Sequence, residues 1–164
     1  MTYREKGFSL IELVVTVSIL LTLITVGVPY FQSTVQRTVL DTTTQKIKTV
    51  LYSSRQLAVT HNADITTCMV VSNTCQSSWQ QGLLTIFLDE NNNKQIDAAE
   101  QVFSRIDVIS TKVSLQWSGS GGRPYIRYTH LGFAKEFGNV LITAGAYQKK
   151  IILNRAGRLY LKTI

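Results

Sequence analysis

The stretch from Phe8 to Val28, FSLIELVVTVSILLTLITVGV, runs for 21 residues with one charge and no proline. That is long enough to cross the hydrocarbon core of a bilayer as a single helix. Any fold for this chain must therefore provide for an apolar helix that the rest of the protein need not cover. Gly27-Val28-Pro29-Tyr30-Phe31 ends the run, with no A-x-A pattern, so the segment is expected to be retained rather than removed as a secretory signal. Arg4 and Lys6 precede it, and the positive-inside rule keeps them cytoplasmic and sends the remaining chain across the membrane. Glu12 stands within the run, where an ionised carboxylate costs at least about 2.5 kcal/mol and calls for a partner. No basic side chain of the apolar segment lies within a helical turn or two of it.

From Tyr30 to His61 a helical period continues, with Val35, Val39, Ile47, Val50, Leu51, Leu57 and Ala58 recurring at spacings of three, four and seven or eight. A helix from Phe8 to His61 would measure about 80 Å at 1.5 Å per residue. Thr42-Thr43-Thr44 is a run of weak helix formers, and any loosening is expected there. Past Ile65 the pattern changes to short β-like runs at 65–71, 83–88, 101–106, 113–117, 125–128, 140–143, 149–153 and 159–164, bounded by Gly, Asn, Asp or Ser. A long helix followed by many short strands predicts an α+β fold. Ser118 to Gly122 (SGSGG) reads as a flexible loop and lacks the Lys-Ser/Thr of a phosphate cradle.

The net charge of +7 matters for where it falls. Residues 101–164 hold ten lysines and arginines against Asp107 and Glu136, an excess of +8, while the rest of the chain is close to neutral. Such a gradient points to a polyanionic partner at the C-terminal end. There Lys149-Lys150-Ile151-Ile152-Leu153 and Leu159-Tyr160-Leu161-Lys162 flank Asn154-Arg155-Ala156-Gly157-Arg158. This reads as a hairpin in which Gly157 takes positive φ, Lys150, Ile152 and Asn154 share a face, and the turn displays Arg155 and Arg158. Guanidinium groups on a tight turn can hold phosphates without reading bases.

Cys68 and Cys75, spaced C-x6-C, are expected to be oxidised to a disulfide if the head lies beyond the inner membrane. Neither histidine lies near them in sequence and there is no second cysteine pair, so a metal pair is not expected. Asp89, Asn91, Asn93, Asp97 and Glu100 fall on the oxygen positions of a calcium loop. The glycine such a loop needs at its sixth position is Lys94, and Asn and Asp in a hairpin turn account for the same composition. His61 and His130 have no nucleophile or paired carboxylate in a recognisable pattern, so no catalytic residue is assigned.

Lys6-Gly7-Phe8-Ser9-Leu10-Ile11-Glu12-Leu13 resembles the processing motif of type IV prepilins and type II secretion pseudopilins, and Pro29 sits where pilins commonly kink their helix. Trp79, Gly82 to Asn93, Asp97 and Glu100 resemble the middle of the GspH/FimT branch of that family, so that the likeness covers residues 1–106. It implies a pilin fold: a leader at 1–7, a transmembrane and assembly helix at 8–28, an amphipathic helix at 29–62, and an antiparallel β-rich head at 63–164. It also implies that a prepilin peptidase cuts between Gly7 and Phe8 and methylates Phe8. Glu12 would then neutralise the new N-terminus of an adjacent subunit. The partners implied are other pilin subunits, with the chain anchored by one span in a bacterial inner membrane, its head in the periplasm, and with no cofactor or metal.

In FimT-type minor pilins linked to DNA uptake, a C-terminal G-R-x-R motif binds DNA. Gly157-Arg158-Leu159 matches it, with Tyr160 in place of the second arginine. The resemblance thus implies a minor type IV pilin that holds DNA phosphates through Lys149, Lys150, Arg155, Gly157, Arg158 and Lys162 during natural transformation, with Tyr160 free to stack on a base. Arg55 and Lys94, outside the basic third, are expected to add little. The alternative is a structural subunit that primes a type IV pilus or a type II secretion pseudopilus and binds no DNA.

Overall fold

The computed structural model describes residues 9–164. The leader 1–7, and with it Gly7 and Phe8, lies outside the described residues. One helix, α1 (Leu10–His61), precedes nine strands. The strands are β1 (Ile65–Val71), β2 (Thr74–Cys75), β3 (Leu83–Phe87), β4 (Val102–Ile106), β5 (Ser114–Gly119), β6 (Ile126–Tyr128), β7 (Gly138–Ala144), β8 (Tyr147–Leu153) and β9 (Leu159–Thr163). The chain divides into two units between Val35 and Gln36.

In the first unit the apolar side chains of α1 are exposed, Leu10 by 82% and Leu23 by 67%. An 18-residue window here has a mean hydropathy of 2.4, long and apolar enough to cross a membrane. Its hydroxyls turn inward. Thr16 donates to the Leu13 carbonyl, Ser18 to Val14, Thr22 to Ile19 and Thr25 to Thr22. Satisfying each hydroxyl on its own helix removes the cost of placing it against apolar surroundings.

In the second unit, α1 buries Leu40, Thr43, Thr44, Ile47, Val50, Leu51, Ser54 and Ala58, a stripe at helical spacing. The threonine run does not loosen the helix. Thr44 donates to the Leu40 carbonyl at 2.6 Å and Ser54 to Val50 at 2.7 Å, and Thr67 of β1 donates to the Ser54 hydroxyl. Packing of the stripe overrides weak intrinsic propensity.

The strands form two antiparallel sheets. One runs β2-β1-β3-β4, with β6 pairing β1; the other runs β5-β7-β8-β9. Strand β1 is buried along six of its seven residues because both of its faces are covered. Ile65 and Met69 join the main core with α1, while Cys68 and Val70 pack with Phe87, Ile96 and Tyr125. The short β2 is a strand that the run-by-run pattern does not show. It returns from β1 through Ser72 and Asn73, both at positive φ, as a two-residue hairpin of type I′ requires. Cys68 and Cys75 are joined by a disulfide across this hairpin. Closing so short a loop stabilises by roughly 2–3 kcal/mol in the chain-entropy account.

Within the SGSGG segment, Ser118 and Gly119 complete β5, Gly121 and Gly122 form an exposed turn at positive φ, and Trp117 Nε1 donates to the Arg123 carbonyl at 2.8 Å just beyond it.

Candidate functional site: the basic C-terminal hairpin

Strands β8 and β9 pair in the register Lys150↔Lys162, Ile151↔Leu161, Ile152↔Tyr160 and Leu153↔Leu159. Residues opposite one another share a face and faces alternate along the strand. The inner face therefore carries Ile151 and Leu153, both 1% exposed. The outer face carries Lys150, Ile152, Tyr160 and Lys162. Continuing the alternation brings Asn154 and Arg158 to the same side.

The turn closes on Asn154. Its N–H donates to the Arg158 carbonyl at 3.1 Å, its carbonyl accepts from Gly157 N at 3.0 Å, and its side-chain oxygen accepts from Arg158 N at 2.9 Å. Gly157 has φ +75°, as in three-residue hairpins that end on a left-handed residue. It is also buried against a second loop, since a Cβ there would lie well inside contact distance of the Gly132 carbonyl oxygen. Ala134 N donates to the Arg155 carbonyl at 3.1 Å, and Arg55 Nε donates to the Gly132 carbonyl at 3.0 Å. The turn, the 129–134 loop and the Arg55 side chain thus form one bonded unit. Arg55, which charge location alone places outside the basic surface, supports the turn from α1. Its partner is 77 positions away, beyond any pattern readable along the chain.

The ion pairs sort the basic third. Arg123 pairs with Glu136, Arg127 with Asp89, Lys135 with Asp64 and Lys149 with Asp41. Lys149 lies on the face opposite Lys150 and is only 22% exposed, so, contrary to the expectation from sequence, it does not join the outer-face cations. Of the ten basic residues at 101–164, Arg105, Lys112, Lys150, Arg155, Arg158 and Lys162 have no carboxylate partner among the described residues. Four of these six belong to the hairpin, and Arg155, Arg158 and Lys162 are exposed.

Burial would raise the Asp64 carboxyl, but the hydrogen bond and charge of Lys135, a backbone bond from His130 and the charge of Arg127 more than offset it and hold it below the ordinary carboxylate range. The Asp64–Lys135 pair is therefore fully formed at neutral pH. Its contribution is lost only as pH falls through the lowered Asp64 value. Lys135 is accordingly a neutralised neighbour of the hairpin and not one of its free cations.

The residues read as a calcium loop bond mostly to one another and to nearby backbone, with Asp89 Oδ1 buried and without a hydrogen-bond partner among the described residues. Asp97 Oδ2 accepts from Asn91 and Asn93 side-chain amides at 2.7 and 2.9 Å, and both Glu100 oxygens accept backbone N–H groups of Glu90 and Asp97. Asp89 accepts from Lys94 N and faces Arg127. Lys94 does make the sharp turn, at φ +64°, and its ammonium lies 5.7 Å from the centre of the Tyr125 ring. Glu12 lies in the first turn of α1 and is exposed.

Comparison with known proteins identifies two segments. Residues 43–157 match the family model described as type II transport protein GspH, and residues 2–28 match the prokaryotic N-terminal methylation motif. No match was found among curated protein sequences. Among solved structures, the type IV minor pilin FimU of Pseudomonas aeruginosa is similar with a TM-score of 0.54 at 13% identity, over 77% of this chain and 90% of that one. The minor pseudopilin EpsH from the type 2 secretion system of Vibrio cholerae is similar with a TM-score of 0.51 at 12% identity, over 73% of this chain and 92% of that one. At such identities the likeness concerns the fold: a long N-terminal helix followed by antiparallel sheets. With the family model spanning well over half of the chain, the protein belongs to the GspH family of pilin-fold subunits, membrane-anchored assembly components of the type IV pilus or type II secretion class and not enzymes.

Proposed function

We propose that this chain is a minor pilin that is cut between Gly7 and Phe8, assembles through α1 with Glu12 against the methylated N-terminus of a neighbouring subunit, and binds DNA through the β8–β9 hairpin. Before assembly the 8–28 segment anchors it in the inner membrane, with the head in the periplasm. The leader motif, the exposed apolar unit of α1 and the inward hydroxyls support the first part of this reading. Mass spectrometry of the protein from a bacterial host should find Met1–Gly7 missing and one methyl group added. Glu12→Ala should leave the chain inserted but absent from filaments. A retained leader, or normal assembly of the Glu12 variant, overturns it.

One observation carries the DNA reading: four of the six basic residues that lack a carboxylate partner in the C-terminal third stand on one hairpin. Cations presented by backbone geometry and left unneutralised attract phosphate without reading sequence. The full chain in detergent micelles should bind DNA with little sequence preference and with an affinity that falls steeply with salt. Arg155→Gln with Arg158→Gln should flatten the log–log salt dependence by about 0.7–0.9 for each phosphate the variant no longer holds. The fold should stay intact, because both side chains are exposed. Lys94→Gln, far from this set in its bonding, should change nothing. If neither duplex nor single-stranded DNA binds at low salt, the hairpin has no such role. The chain is then a structural subunit that primes assembly.

A further inference from the structure

On the outer face of the hairpin, Tyr160 and Lys162 occupy alternate positions along β9, and Arg158, the turn residue just before β9 that pairs with Asn154, continues the alternation, so an aromatic ring stands between two cations. Tyr160 is 50% exposed. Ile152 stands opposite it in the register, and Asn154 Nδ2 lies 3.5 Å from its hydroxyl, so that the side chain is held from the β8 side while its remaining surface faces solvent. Strand β9 is the last strand of its sheet, paired only with β8, and nothing of the described residues pairs along its outer edge. Lys150 and Lys162 lie directly opposite each other. Like charges in that position repel, and an anion between them removes the repulsion.

We propose that this face prefers single-stranded nucleic acid to duplex, with Tyr160 as a stacking platform for an unpaired base and Arg158, Lys162 and Lys150 holding the phosphates on either side. The proposal rests on the hairpin's being the DNA-binding surface and adds which form of DNA it takes. A duplex keeps its bases stacked and paired within the helix, so it offers this face phosphates and leaves Tyr160 idle. A single strand offers the same phosphates and a free base face as well, and alternation of aromatic and cationic groups is the arrangement that holds such a strand without sequence preference. An arginine at 160 would instead add a third cation in the row and serve either form.

The test uses the full chain in detergent micelles and fluorescence anisotropy with end-labelled oligo(dT) and a mixed-sequence duplex of matched length, at equal salt. The single strand should bind roughly five- to a hundredfold more tightly, the range expected for stacking one base on an aromatic ring. Tyr160→Ser should abolish that preference with duplex affinity unchanged, Tyr160→Phe should keep it, and Tyr160→Arg should raise duplex affinity. Tyr160 is not part of the core, so far-UV circular dichroism should be the same for all four proteins. Equal or tighter binding of duplex, or a Tyr160→Ser variant with unchanged oligo(dT) affinity, overturns the stacking proposal while leaving the DNA reading of the hairpin standing. Binding of neither form overturns both.

Discussion

Gly157→Ala is expected to destabilise the head by about 2–4 kcal/mol, the combined effect of a left-handed backbone position and a steric conflict. The backbone at 157 sits at φ +75°, which a Cβ disfavours. The same Cβ would press on the Gly132 carbonyl oxygen, the atom that accepts from Arg55. The turn would then have to move off the 129–134 loop and strain the Ala134-to-Arg155 hydrogen bond. Gly157→Asn separates the two causes, because asparagine tolerates positive φ but keeps the Cβ. If the clash with Gly132 dominates, Asn should be nearly as damaging as Ala; if backbone conformation dominates, Asn should recover much of the stability. Urea titration of the full chain in detergent, followed by the fluorescence of Trp79 and Trp117, the two tryptophans of the sequence, reads the head alone. A midpoint within error of wild type for Gly157→Ala would show that the turn and the loop do not depend on each other.

What the sequence makes legible here is what neighbouring residues encode. Strand β1 follows its apolar run residue for residue, the C-terminal hairpin follows its alternation, and Gly157 adopts the positive φ its turn requires. What it conceals is long-range. Lys149 and Lys135 look like free cations until Asp41 and Asp64 meet them from 108 and 71 positions away. Arg55 stands outside the basic surface until the 129–134 loop folds onto it. Thr44 and Ser54 escape a search for apolar periodicity because they are polar residues, and their burial is made acceptable by the Leu40 and Val50 carbonyls and by Thr67. The +8 excess likewise needs the fold to be placed: pairing removes four of the ten charges and leaves most of the remainder on one hairpin.

Trp79→Ala should cost the head about 3–5 kcal/mol, as truncating a buried tryptophan does. Trp79 is 2% exposed and lies in the connection between β2 and β3, where it reaches across to the other sheet. Its ring stacks on Trp117 of β5 at 5.5 Å between centroids, its Nε1 donates to the Pro124 carbonyl at 2.7 Å, and its neighbour Gln80 donates to the Leu115 carbonyl of β5 at 2.7 Å. Truncation leaves a cavity where the two sheets are joined and strips the Pro124 carbonyl of its partner. Trp79→Phe keeps most of the apolar volume and loses the N–H, so it should cost only about 1–3 kcal/mol. Urea midpoints at constant m would rank the two, and a Trp79→Ala variant within about 1 kcal/mol of wild type would mean that the sheets hold together without this side chain. Strand β5 is at the opposite edge of its sheet from β9. If that sheet opens only as a whole, Trp79→Phe should leave the DNA affinity proposed for the hairpin untouched under conditions where the head is folded. Weakened binding by that variant in a fully folded head would instead mean that local opening at β5 is transmitted through β7 and β8 to the hairpin.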